Sequence, residues 1–130
     1  MYYASPTGSV RAVDGVSFTL EKGEALGIVG ESGSGKTSLS LALMRLTPRN
    51  ATTIQGTVSL EWKNLTALSD EEFRINVRWK RMSMVFQAAM NSLNPVIRVG
   101  HQVRETLELS PGSSKTQLDN KVLELFDLVG

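Results

Sequence analysis

The stretch Gly27–Leu39, GIVGESGSGKTSL, limits what this chain can fold into more than any other part of it. Gly30, Gly35, Lys36 and Thr37 satisfy the spacing G-x-x-x-x-G-K-[ST], a loop that works only where a buried strand turns directly into a helix. Gly33 and Gly35 permit backbone conformations closed to residues that carry a Cβ. Consecutive amides from Ser32 through Ser34 to Ser38 can then turn inward on an anion. The helix that starts there adds its positive N-terminal end to the same anion. The Lys36 ammonium suits the outer phosphates of a nucleotide, the Thr37 hydroxyl suits Mg²⁺, and Ser38 adds a further phosphate contact.

The flanks supply the required setting. Ala25–Val29, ALGIV, is a continuous apolar run, as in a strand covered on both faces, and it feeds straight into the loop. Ahead of it, Val16, Phe18 and Leu20 alternate with Ser17 and Thr19, the period of a half-buried strand. Beyond Lys36, the residues Leu39, Ala42, Leu43 and Leu46 recur at helical spacing, and Pro48 marks the helix end. This order predicts an α/β fold of the phosphate-loop NTPase type. Composition agrees with one globular domain: 130 residues, 41% apolar and 21% charged. A formal charge of +1 leaves no electrostatic footprint for nucleic acid. There is no cysteine for a disulfide or thiolate site. No apolar run approaches the roughly 18 residues needed to span a bilayer, and the start YYASPTGS is neither basic nor apolar. Membrane contact is therefore expected only through a partner.

Further along, Val58, Leu60 and Trp62 alternate as one face of a strand, and Ser69 with Glu72 spells a capping box at a helix start. Arg74, Arg78, Lys80 and Arg81 gather beyond it and read as cations complementing the negative end of a helix. RMSMVF, Arg81–Phe86, reads as a buried strand with methionine as filler. Gln87–Pro95 reads as a loop, and Val99, Val103 and Leu107 as a helix. PGSS breaks the chain before a second capping box, Ser114 with Gln117, and an apolar stripe of Leu118, Val122, Leu125 and Val129. That stripe lacks a downstream partner. His101 reads as a solvated side chain.

In sum, AVDGVSFTLEKGEALGIVGESGSGKTSL, GTVSLEWKNLTALSDEE and VFQAAMNSLNPVIRVGHQV occur in that order. The chain resembles the N-terminal half of the nucleotide-binding subunit of an ABC transporter, most closely the oligopeptide, dipeptide and nickel importer group. The resemblance implies an ATPase core over residues 1–110, with the phosphate loop at 30–37 and the Q-loop around 87–95, and the start of a helical subdomain over 111–130. It implies ATP and Mg²⁺ as ligands. By it, Gln87 is the Q-loop glutamine near Mg²⁺ or the attacking water, so Thr37 and Gln87 are the metal-side candidates. Tyr3 takes the place of the aromatic that stacks on adenine. The implied partners are transmembrane permease subunits and a second ATP-binding subunit, at the cytoplasmic face of the membrane.

Two departures accompany the resemblance. Ala88 and Ala89 stand where the family commonly has an acidic residue and proline. The signature loop, the Walker B carboxylates and the switch histidine do not occur within these residues, so no catalytic residue beyond Gln87 is expected in the segment. Phosphoryl transfer needs a positioned water and stabilised charge as well as a cradle. The expectation is an incomplete ATPase core that alone binds nucleotide at most weakly and does not hydrolyse it. Another phosphate-loop NTPase or kinase, and a non-catalytic binding or interaction module, remain open.

Overall fold

The structure, a computed structural model, describes residues 1–87, 92–108, 112 and 114–130. It divides into two compact units, Met1–Met84 and Val85–Gly130.

The first unit opens with a hairpin that the sequence reading did not foresee. Strands β1, Tyr2–Ser5, and β2, Gly8–Arg11, pair antiparallel with Ser5 opposite Gly8. The connection is Pro6-Thr7: proline presets its own φ, and Gly8 leaves the turn at φ 137. Strand β3, Ala51–Thr53, joins the other edge of β1, giving the order β2-β1-β3 with a register shift between Tyr2 and Tyr3. Every pairing in this sheet is antiparallel. The half-buried strand expected at Val16–Leu20 and the buried strands expected at Ala25–Val29 and Arg81–Phe86 do not form. Their side chains are largely exposed, Val29 at 97% and Val85 at 88%, while Met82 and Met84 are half-buried and Met82 packs against Leu65, Phe73 and Val77. Apolar periodicity fixes which face such a strand would bury, but a strand also needs neighbours for its N–H and C=O groups. Among the described residues, no strand lies beside these segments.

Helix α1, Lys36–Leu43, follows the glycine loop and ends before the expected Leu46. Its C-cap is Met44. The Arg45 amide bonds Ala42 O at 3.2 Å and the Leu46 amide bonds Leu41 O at 2.9 Å, the paired bonds of a Schellman ending. Such endings usually place glycine at the left-handed position, yet Arg45 occupies it with φ 51.

The core of this unit is local. Strands β4, Ser59–Leu60, and β5, Lys63–Asn64, form a second hairpin, extended by Leu65 N to Val58 O at 2.8 Å. Helix α2, Asp70–Asn76, begins at the expected box: Ser69 Oγ accepts from the Glu72 amide, and the Glu72 carboxylate accepts from the Ser69 amide. Leu65, Phe73 and Val77 are buried together, with Val58, Leu60, Leu68 and Met82 packed against them. Burying a side chain such as Phe73 contributes about 1.5–3 kcal/mol. Trp62 does not share the face of Val58 and Leu60. It sits in the hairpin turn, 102% exposed, and both turn residues are left-handed, Glu61 at φ 48 and Trp62 at φ 66. Alternation breaks there because the chain reverses.

In the second unit, α3, Val99–Glu108, packs on α4, Lys115–Val129. The expected box caps α4, with Ser114 Oγ accepting from Gln117 N. Val122 is buried, and a Cβ at Gly100 would lie 3.8 Å from Val122 and 3.9 Å from Phe126. Val122 of the α4 stripe thus finds its partner upstream, in α3, while Val129 stays 83% exposed. Arg104 of α3 bridges to Asp119 of α4 at 3.0 Å. The PGSS break, the boundary between 110 and 111, and Ala88 and Ala89 lie wholly or partly outside the described residues.

Candidate functional site

The glycine loop has the backbone that its spelling requires. Gly33 takes φ 82 and Gly35 φ 89, both in the left-handed region, where side chains are strained. Space adds a second requirement at Gly35, where the atoms in the way are backbone, whereas at Gly30 a Cβ would meet only the movable Ser34 hydroxyl. A Cβ on Gly30 would lie 2.7 Å from Ser34 Oγ, and a Cβ on Gly35 would lie 2.0 Å from the Ala12 carbonyl oxygen. The loop folds on itself through Ser34 N to Glu31 O at 3.2 Å.

Gly35 is the N-cap of α1 and contributes no side-chain cap. The amides of Lys36, Thr37 and Ser38 belong to the first turn, where no intrahelical acceptor exists. That end carries the positive pole of the helix and no acidic side chain in its first turn. The Lys36 ammonium folds over the loop, donating to Gly30 O at 2.6 Å, Glu31 O at 2.7 Å and Ser34 Oγ at 3.2 Å. Its three donors are thus satisfied by loop oxygens. An incoming phosphate offers stronger, charged acceptors for the same donors.

Tyr3 reaches this site from β1. Its hydroxyl donates to Ser38 Oγ at 3.0 Å, and both side chains are half-buried. The N-terminal hairpin therefore grips the loop twice, through Tyr3 on Ser38 and through the Ala12 carbonyl above Gly35. Met1 fixes the segment that follows β2, since its ammonium donates to Val13 O at 2.6 Å and the Val13 amide donates to Met1 O at 3.0 Å. Sequence reasoning missed Ala12, because a carbonyl that contacts glycine has no side-chain signal.

Ser32, Gly33 and Thr37 are exposed. The Thr37 hydroxyl is a hard oxygen donor of the kind Mg²⁺ takes beside phosphate and water. Among the described residues, no three His, Cys, Asp or Glu side chains gather to hold a metal. Gln87 falls in the second unit and the loop in the first. Residues 94–97 are tied to Gln102 of α3: its side-chain oxygen accepts from the Asn94 amide at 2.8 Å, and its nitrogen donates to Asn94 O at 3.0 Å and Ile97 O at 2.8 Å. That residue, too, was missed. His101 is exposed on α3.

The basic cluster is dispersed. Arg74 pairs with Glu71 at 2.7 Å, Arg81 pairs with Glu61, and Arg78 donates to Met44 O at 3.2 Å. Arg74 alone stands in the last turn of its own helix; Arg78 serves the carbonyl end of α1 instead.

Comparison with known proteins gives the family. Residues 13–130 match the model of the ABC transporter family. The chain belongs to that family. It is 45% identical over 124 residues to the oligopeptide transport ATP-binding protein OppD of Bacillus subtilis, covering 95% of this chain and 34% of the relative. To OppD of Salmonella typhimurium it is 42% identical over 127 residues, 98% of this chain and 37% of that protein. To the dipeptide transport ATP-binding protein DppD of Lactococcus lactis it is 43% identical over 124 residues, 95% and 35% respectively. The chain thus spans between 34% and 37% of the length of these relatives.

Among the described residues, no helix is long and apolar enough to cross a membrane.

Proposed function

We propose that this chain is the ATP-binding segment of an ABC-type ATPase subunit that energises the transport of peptides, or of nickel, across a membrane. The observation that carries the reading is the uncapped start of α1 behind two left-handed glycines, with Lys36 already held over the loop. The relatives' names, oligopeptide and dipeptide transport ATP-binding proteins, support the solute class. Amides from Ser32, Gly33 and Ser34 to Gly35, Lys36, Thr37 and Ser38 would hold the phosphates, Thr37 and Gln87 would be the metal-side residues, and the Tyr3 ring would receive the adenine. Bound Mg²⁺ supplies charge neutralisation on the phosphate oxygens.

In this reading residues 1–110 belong to the nucleotide-binding core and 111–130 begin the helical subdomain. The subunit works peripherally at the cytoplasmic face, against permease subunits and a second ATP-binding subunit. Hydrolysis needs a positioned water and stabilised charge beyond what the loop provides, so these 130 residues bind nucleotide without turnover.

Calorimetric titration with Mg-ATP beside a phosphate-release assay tests this on the wild type and Lys36→Ala. Binding that disappears in Lys36→Ala, with no phosphate released by either, is the expected result. Sustained release by the wild type overturns the claim of incompetence, and binding unaffected by Lys36→Ala overturns the site.

A further inference from the structure

Arg45 closes α1 at a cost that its side chain explains. At the left-handed position of a Schellman ending, glycine is free of strain and a residue with a Cβ is not. Arg45 holds that position at φ 51, and its guanidinium is used almost to capacity. Nη1 donates to Leu68 O at 2.9 Å and to Asp70 Oδ1 at 3.2 Å, while Nη2 donates to Leu65 O at 2.6 Å and Thr66 O at 3.0 Å. The guanidinium carbon also lies 4.7 Å from the centre of the buried Phe73 ring. The Asp70 side chain is fully exposed, so this ion pair is screened, and the three carbonyl bonds with the ring contact carry the attachment. Arg78 adds a second tie, from Nη2 to Met44 O at 3.2 Å, with its guanidinium 5.8 Å from the same ring. The two cations thus bind the carbonyl end of α1 to the Leu65–Phe73 segment, while the opposite end of α1 presents Lys36, Thr37 and Ser38.

We propose that Arg45 is a positioning residue for the phosphate loop: by fastening the C-terminal end of α1 to the carbonyls of 65–68, it fixes the helix whose other end meets the phosphates. This deepens the nucleotide-binding reading and rests on it for its effect on affinity. A short helix pinned at one end can rock about its loop, which lowers the fraction of molecules whose amides converge on an anion. Lysine cannot replace the planar fork that reaches several carbonyls at once.

The variants Arg45→Ala, Arg45→Gly and Arg45→Lys separate fastening from stability. Amide hydrogen exchange without nucleotide is followed at residues 36–43 and 65–70, and Mg-ATP affinity by titration. All three variants should lose protection in both segments. Affinity should weaken about tenfold in Arg45→Ala and Arg45→Gly and less in Arg45→Lys, and Arg45→Gly should do so while keeping more thermal stability than Arg45→Ala, because glycine relieves the strain. Wild-type affinity in Arg45→Gly overturns the proposal, as does affinity that merely tracks melting temperature across the series. If the wild type fails to bind Mg-ATP, the nucleotide reading falls; the exchange data then decide the fastening, and unchanged protection at 36–43 sinks it.

Discussion

Replacing Gly35 by alanine tests whether the N-terminal hairpin sets the shape of the phosphate loop. The new Cβ would stand 2.0 Å from the Ala12 carbonyl oxygen and 3.1 Å from its carbon. Both atoms are backbone, so relief requires moving the segment that leaves β2. The residue would also have to hold φ 89. Left-handed strain costs about 1–2 kcal/mol, and forced overpacking about 1–3 kcal/mol more. The combined loss of about 2–5 kcal/mol is a large part of the 5–15 kcal/mol that holds a typical domain. Gly33→Ala is the internal control, because Gly33 has φ 82 but nothing within 4 Å of its Cβ position. It should lose only the strain, about 1–2 kcal/mol. Urea unfolding followed by fluorescence reads the difference: with a slope of about 1–3 kcal/mol/M, Gly35→Ala should unfold at least about 0.3 M earlier than Gly33→Ala. Equal midpoints would refute the contact with Ala12 and the hairpin's grip on the loop.

Other consequences are independent of nucleotide. Trp62→Gly should stabilise the first unit by about 1 kcal/mol in thermal melts, because Trp62 is fully exposed and left-handed at φ 66 and glycine suits that turn position; a lower melting temperature would mean that the ring has a packing role. The Ser69 amide, then the Ser69 hydroxyl, hold the Glu72 carboxyl below its ordinary value of 4.5. Since the folded pKa lies below the unfolded one, this contribution is complete above about pH 4.5 and is lost as pH falls through the folded value. Glu72→Gln should flatten that part of an acid-unfolding curve, and an unchanged curve counts against the link. Ser114→Ala should lower helix content and cost about 1 kcal/mol, with Ser114→Asp restoring most of it; circular dichroism reads both, and an alanine variant of full helicity would show that the box contributes nothing.

Local features were legible in the sequence. Both capping boxes, Ser69 with Glu72 and Ser114 with Gln117, depend on contacts three residues apart, and the glycine loop carries its conformation in its spelling. Features set by distant partners were hidden. Nothing about Arg45 shows that its guanidinium will find the carbonyls of 65–68, roughly twenty positions on, because backbone acceptors carry no identity. Tyr3 was singled out for its ring, yet its hydroxyl is what meets Ser38. The first hairpin escaped notice because YYAS and GSVR do not alternate, although Ser-Pro-Thr-Gly is a turn spelling. The opposite error, strands expected at 16–20 and 25–29, came from treating a face that would be buried as one that is.

The contrast between strands that form and strands that do not bears on the site. An antiparallel hairpin closes through its own two-residue turn, so β1 with β2 and β4 with β5 need only neighbouring sequence. A strand buried on both faces needs a crossover partner and covering layers before its backbone groups are satisfied. The phosphate loop follows a segment of the second kind, but its conformation is fixed by local contacts, Lys36 on its own loop and the Schellman ending of α1, and by two longer reaches from the N-terminal segment, Ala12 over Gly35 and Tyr3 on Ser38. Its cradle therefore stands without the strand before it being paired. In the proposed reading, phosphate binding and sheet completion are then separable steps, and the outcome expected of that separation is ligand held by Lys36 without turnover.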